Sequence, residues 1–255
     1  MLDAHPSILG WFLLGGLGPI TTTNPDVGVR WRHTVAPRQT EFSAAAVLQP
    51  FTFEVHRDLG LAFQYAGALM NTVELAWGVD EKVLFASCGA IAKAMLRITA
   101  TAPPFEATRP FLWNECAVTL PDPTAFTTMR SLRVRIENNI GGLWFIDGSR
   151  EAARIRPTGH RIVTVTGVML ANSAEFDQFD TRGQRALKMI FTGPVLGTGN
   201  IRLELNAPQF QYVTYPVRVE GADEQMVGFT GKAKYDAAVA NTPLQAILDN
   251  GKSSY

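Results

Sequence analysis

Two cysteines in 255 residues, Cys88 and Cys116, are too few for a disulfide framework, and they lie far apart in the chain. Buried free thiols in a reducing compartment are the expectation for both. Neither sign of charge is in excess: Lys plus Arg and Asp plus Glu both total 23, so the basic surplus of a nucleic-acid-binding protein is missing. A net charge of zero also removes one barrier to self-association. Long apolar runs are missing too. The one near the N-terminus, residues 8–17, is too short to span a bilayer, and only Asp3 carries a full side-chain charge before it. The basic region of a signal peptide is therefore absent, no Asn-x-Ser/Thr acceptor occurs, and no membrane insertion is expected.

Catalytic and metal motifs are equally scarce. There is no Gly-x-Ser-x-Gly elbow, no His-Glu-x-x-His and no paired Cys-x-x-Cys. His5, His33, His56 and His160 have no ligand spacing and read as solvated or hydrogen-bonded structural residues. Gly197-Thr198-Gly199-Asn200 resembles a phosphate-cradling loop, but a strand pattern follows where a nucleotide site needs a helix N-terminus. A hairpin is the better account. Glu175, Asp177 and Asp180 could form an acid/base pair, although a capped, wet helix face explains them as well. Trp11, Trp31, Trp77, Trp113 and Trp144 are scattered and read as core or interface anchors. No catalytic, cofactor-binding or metal residues are assigned, and an enzyme is not expected.

What is present is strand pattern. In residues 130–139, Leu132, Val134 and Ile136 alternate with Arg133, Arg135 and Glu137 before Asn138 and Asn139 break the run. Residues 161–170, 186–191, 201–205, 211–220 and 226–235 continue in the same manner, as do 50–57, 61–68, 72–77 and much of 82–98. Period-two alternation bounded by Gly, Pro and Asn marks antiparallel strands with one buried face. Alanines leave 86–96 open to either helix or strand.

Between the strands, Pro6–Leu17 predicts a short helix that must dock on something apolar, either its own domain or a neighbouring copy. Residues 19–46 show little periodicity and read as a long arm or loop. Three prolines in 99–110 make a crossing between two strand-rich halves of a single domain spanning 1–255. Residues 173–181 predict one or two helical turns with Ser173 as N-cap. Residues 243–248 predict another short helix within a C-terminal tail at 243–255. The fold class expected is mainly β, an antiparallel sandwich or barrel with a few short helices and long arms or loops.

Several blocks, in order along nearly the whole chain, resemble the tail tube (major tail) proteins of tailed bacteriophages. They are residues 10–18 and 32–37; 51–55, 63–67 and 71–77; 130–139; then 159–168, 176–179, 190–193, 201–212 and 228–236. The resemblance implies a β-sandwich or barrel protomer, hexameric rings stacked into a hollow tube, and a virion protein made and assembled in the host bacterial cytoplasm. It further implies that the tape-measure protein and neighbouring tail proteins are partners, and that double-stranded DNA passes the lumen without sequence-specific binding. Other virion β proteins (tail tip, tail terminator, head decoration) are the alternative, as is a ligand- or carbohydrate-binding β-sandwich using Trp31 or Trp144. Basic groups facing a passing duplex would each add a phosphate contact and slow it. The lumen side is therefore expected to be neutral to acidic, with Arg133 and Arg135 in subunit contacts or facing outward.

Overall fold

A computed structural model describes residues 2–37, 48–57, 61–101, 108–146, 148–216, 225–236 and 242–255. Most of these residues lie in antiparallel strands, and the large sheet runs from one free end to another without closing into a barrel. The mainly β, antiparallel, sandwich-like class expected from the alternation is what the chain adopts.

Helix α1 (Pro6–Leu17) opens the architecture. Pro6 occupies its first turn, and the Gly18 N–H closes its end on the Leu14 carbonyl. Leu9, Leu13 and Leu17 are fully buried, and Phe12, Leu14 and three glycines join them. A helix this apolar all round belongs inside, and it docks within its own chain. It packs on β5 (Leu61–Gly78), β6 (Phe85–Ile91) and β9 (Met129–Glu137), and also on β3 (Arg30–Val35) and β16 (Gln245–Asn250). Gly16 lets it approach β5: a Cβ there would lie 2.9 Å from the Val73 side chain. The helix thus ties together two halves of the sheet.

Those halves are joined by β14 (Gly199–Thr214), where 201–205 and 211–220 suggested separate strands. Residues 202–206 of β14 pair with β16, and residues 209–214 pair with β15 (Met226–Lys234). Pro208 falls between the two ladders. It has no N–H to lose, so the strand changes neighbour there without orphaning a donor. On its other edge β14 pairs with β13 (Arg185–Leu196), and β13 in turn with β8 (Cys116–Thr119). The turn 197–198 between β13 and β14 is the hairpin expected of the glycine-rich loop, with Thr198 N–H held by Asp26. Residues 217–220 of the expected strand lie outside the described residues.

From β15 the sheet continues through β12 (Ile162–Leu170) and β9 to β5 and β6, and ends at β1 (Leu2–Asp3). In β9 the alternation holds: Leu132, Val134 and Ile136 are buried, while Arg133 and Arg135 are exposed. The core between the layers is rich in aromatics. Trp77 meets Phe191 edge-on at 5.1 Å, and Phe210 and Tyr212 each meet Phe229 edge-on. Such contacts add to area burial.

Three expectations are corrected. Residues 20–35 are not an arm: β2 (Ile20–Asp26) and β3 form a hairpin, and β3 pairs with β16. The Thr-rich run hides the pattern, because β2 is an edge strand that buries little. Residues 38–46 of the expected arm lie outside the described residues. Residues 243–248 are not helical. Gln, Ala and Leu favour helix locally, but β16 is paired along both edges, and tertiary pairing outweighs propensities of tenths of a kcal/mol. The tail beyond it is not loose either, since Tyr255 packs against Trp11 and His33. Third, 61–68 and 72–77 are one strand, β5, bent at Gly67 where φ is +62°. The ambiguous alanine-rich stretch forms strands β6 and β7 (Ala94–Ile98) on one edge of β5. Of the crossing at 99–110, residues 102–107 lie outside the described residues.

Helix α2 (Ser173–Asp180) is present where expected, but its N-cap is Asn172, whose side chain accepts from Ala174 N–H at 2.8 Å. A two-stranded ladder of β10 (Ile140–Leu143) and β11 (Arg154–Pro157) completes the described elements named here, with β4 (Phe51–Arg57) beside β5.

Candidate assembly site

The bend at Gly67 divides β5 into two parts. Its second part lies inside the main sheet between β6 and β9. Its first part carries β4 on one edge and β7 on the other, forming a three-stranded ribbon. Among the described residues the outer edges of β4 and β7 pair with no further strand, and the same is true of β2. Each such edge presents a row of N–H and C=O groups available to another chain.

One face of the ribbon is largely apolar. Cross-strand pairing aligns Phe53, Tyr65 and Met95, and beside them Val55 and Phe63 with Arg97 at the end of the row. A groove of about 580 Å³ opens there, lined by Phe53, Val55, Tyr65, Cys88, Met95 and Trp144 among others. Trp144 comes from the loop after β10, which is tied to the ribbon by Ala152 N–H donating to the Lys93 carbonyl at 3.0 Å. Its neighbours Leu143, Phe145 and Ile146 are also exposed, Ile146 completely. The base of the ribbon is fixed by a buried amide. Asn138 donates to the Met70 carbonyl and accepts from Arg161, and Asn71 accepts from Ile140 N–H. Asn138, read with Asn139 as a strand break, therefore locks the end of β9 onto β5, and Asn71 holds the start of β10 there.

The charged candidates are accounted for within the chain. Arg133 and Arg135 reach Glu74 at 3.5 and 3.8 Å, and Arg135 also bonds Glu137 at 2.7 Å. Glu175 is buried, contrary to the wet face expected: it accepts from Arg185 and from the Tyr212 hydroxyl. Burial pushes the Arg185 guanidinium down and the Tyr212 phenol up. This cluster pins α2 to β13 and β14, and neither Asp177 nor Asp180 is among its partners. Sequence reasoning missed it because a helix of two turns gives no signal for which carboxylate turns inward.

Of the histidines, His33 is fully buried and hydrogen-bonded to Thr22 and the Lys252 carbonyl, while His56 pairs with Glu54 at 2.8 Å. His5 contacts the Thr108 carbonyl. Both cysteines are free thiols; Cys116 is the more sheltered, its pKa pushed up by burial to about 12, and partial burial also raises that of Cys88. Cys88 is exposed, a correction to the expectation of burial, because its strand β6 turns that side chain toward the groove. Trp77 is in the core, Trp11 lies against Tyr255, and Trp113 lines a second cleft of about 360 Å³ beside β8 and β9. Trp31, on β3, is partly buried, and Trp144 is exposed in the loop after β10. Among the described residues no cluster of three His, Cys, Asp or Glu side chains could hold a metal ion. No helix among them is long and apolar enough to cross a membrane.

Fold and surfaces together define a mainly antiparallel β protein with open strand edges and a largely apolar ribbon face. The chain belongs to the phage tail tube protein family, whose sequence model matches residues 2–233. Membership makes it a structural protein of the virion tail and implies self-association and neighbouring tail proteins as partners. A comparison with curated proteins finds no match.

Proposed function

We propose that this chain, as a single domain, assembles into hexameric rings that stack into the hollow tube of a phage tail. The tube is built in the host cytoplasm, holds the tape-measure protein before ejection, and then conducts double-stranded DNA into the host cell. Family membership carries this reading, and the edges of β2, β4 and β7 that pair with no further strand among the described residues support it. Head-to-tail contacts between copies close into rings, and stacked rings extend without limit, as a tail requires.

Arg133 and Arg135 pair with Glu74 and Glu137 of their own chain, and their facing away from the lumen is part of the proposal. Each guanidinium already has a carboxylate, so that face offers few cations to phosphate. A lumen that is neutral to acidic remains the proposal. Negative-stain microscopy of the purified protein, alone and co-expressed with the tail-tip complex, tests the assembly. Rings or hollow filaments are expected in at least one condition. A monodisperse monomer in both would overturn the reading.

A further inference from the structure

The ribbon face is larger than a lone protein needs to expose. Val55, Met95 and Trp144, which line the groove, and Leu143, Phe145 and Ile146, which flank Trp144 in the adjoining loop, leave between about two-fifths and all of their surface open. With the aromatic side chains each offering roughly 150–250 Å² and the aliphatic ones somewhat less, their combined open area is on the order of 700 Å². The largest apolar patch of an ordinary monomer is roughly 300–600 Å². One side of a standard protein–protein interface is about 800 Å². The patch therefore matches one half of an interface by area. Its lining is in keeping with an interface, since apolar Trp144, Tyr65 and Met95 are joined there by polar Glu54, Lys93 and Arg150.

Three occupants compete for this groove. A nucleic acid would want cations and few carboxylates, whereas the rim mixes both signs and the centre is apolar. A small apolar molecule would fill the groove but leave the edges of β4 and β7 without partners. A second polypeptide satisfies both features at once, pairing with an edge and covering Trp144.

We propose that the groove between the β4–β5–β7 ribbon and the Leu143–Ile146 loop is the seat for a second copy of this chain, with Trp144 and Ile146 as its anchors. This rests on the tail tube reading, which implies self-association but assigns it no surface. The contact is heterologous: the seated copy presents a different face, leaving its own groove open for the next.

Cys88 lines the groove and supplies a reporter. In a Cys116→Ser chain, its labelling by a maleimide at mildly alkaline pH is followed in dilute monomer and after assembly. The rate is expected to fall about tenfold or more on assembly, as for a side chain sealed beneath a hot spot. Trp144→Asp and Ile146→Asp should each raise the protein concentration needed for assembly by about tenfold or more. Both residues are exposed, so the urea midpoint of the monomer should hold. If a variant fails to fold, the labelling of the chain with native Trp144 still decides. Normal assembly by both variants with Cys88 equally reactive overturns the groove and leaves the tube reading intact. Cys88 unreactive even in dilute monomer means the groove is filled within its own chain, which also overturns it. Failure of the parent chain to assemble at all removes both readings.

Discussion

Gly10 stands in the middle of α1 for one steric reason, and that reason makes a sign-reversal prediction. The atoms nearest to a Cβ built on Gly10 are three ring carbons of Tyr255. The Tyr255 ring meets Trp11 at 5.3 Å and His33 at 4.8 Å, both nearly edge-on, and Lys252 Nζ lies 4.9 Å from its centre. Its hydroxyl accepts from Asn250 and donates to the Pro6 carbonyl at 3.2 Å. Truncating a fully buried aromatic to Ala costs roughly 3–5 kcal/mol. Tyr255 is only partly buried, so Tyr255→Ala should cost about 2 kcal/mol. Gly10→Ala must expel the same ring and so forfeits up to about 2 kcal/mol, offset by the ~1 kcal/mol that Ala gains over Gly inside a helix. The net expectation is a loss of about 1 kcal/mol. In a Tyr255→Ala background the ring is already gone, and Gly10→Ala should instead stabilise by about 0.5–1 kcal/mol. Urea unfolding followed by tryptophan fluorescence, below the assembly concentration, measures all four proteins. The two backgrounds should differ by about 2 kcal/mol in the effect of Gly10→Ala, a coupling typical of residues in contact. Destabilisation of equal size in both backgrounds would refute the steric account.

Glu175→Ala strands the Arg185 guanidinium and the Tyr212 hydroxyl in a largely buried site, so a loss of about 3 kcal/mol in the urea midpoint analysis is expected. Glu74→Ala, by contrast, should change stability by less than about 1 kcal/mol, because its arginine partners are half exposed. His33 gives a pH dependence. Burial holds its folded pKa below the ordinary 6.5, while its Nε2–H donates to the Lys252 carbonyl and Nδ1 is hydrogen-bonded to the Thr22 hydroxyl. The unfolded chain therefore binds the proton more readily, and stability present above pH 6.5 is lost as the pH falls below it, by at most about 1.4 kcal/mol per unit. His33→Gln should flatten that acid limb in thermal unfolding at pH 5 to 7, even if it lowers stability at neutral pH.

Much of this protein was legible before its structure because some local signals are also global ones. Alternation in residues 132–137 needs only one buried face to be correct, and the apolar run at Pro6–Leu17 predicted a helix that had to dock on something apolar, which the fold supplies within the same chain. The order of such blocks along the chain carried the family resemblance, and the family match covers residues 2–233. Residues 243–248 read as helix because Leu, Gln and Ala favour it locally. Only β14 on one side and β3 on the other made Gln245–Asn250 a strand. The 20–35 hairpin was obscured because an edge strand buries too little to show its period. The cost of burying Glu175 is set by Arg185 and Tyr212, which are 10 and 37 residues away.

The sequence by itself therefore determined the class, strands with one apolar face and a short apolar helix in need of a partner, because periodicity and hydrophobicity are properties of neighbours in the chain. The tertiary structure alone decided which edges stay open, which charges turn inward, and that Trp144, Met95 and Val55 share one groove. Those are contacts between distant residues, and nothing within one turn or one strand fixes them.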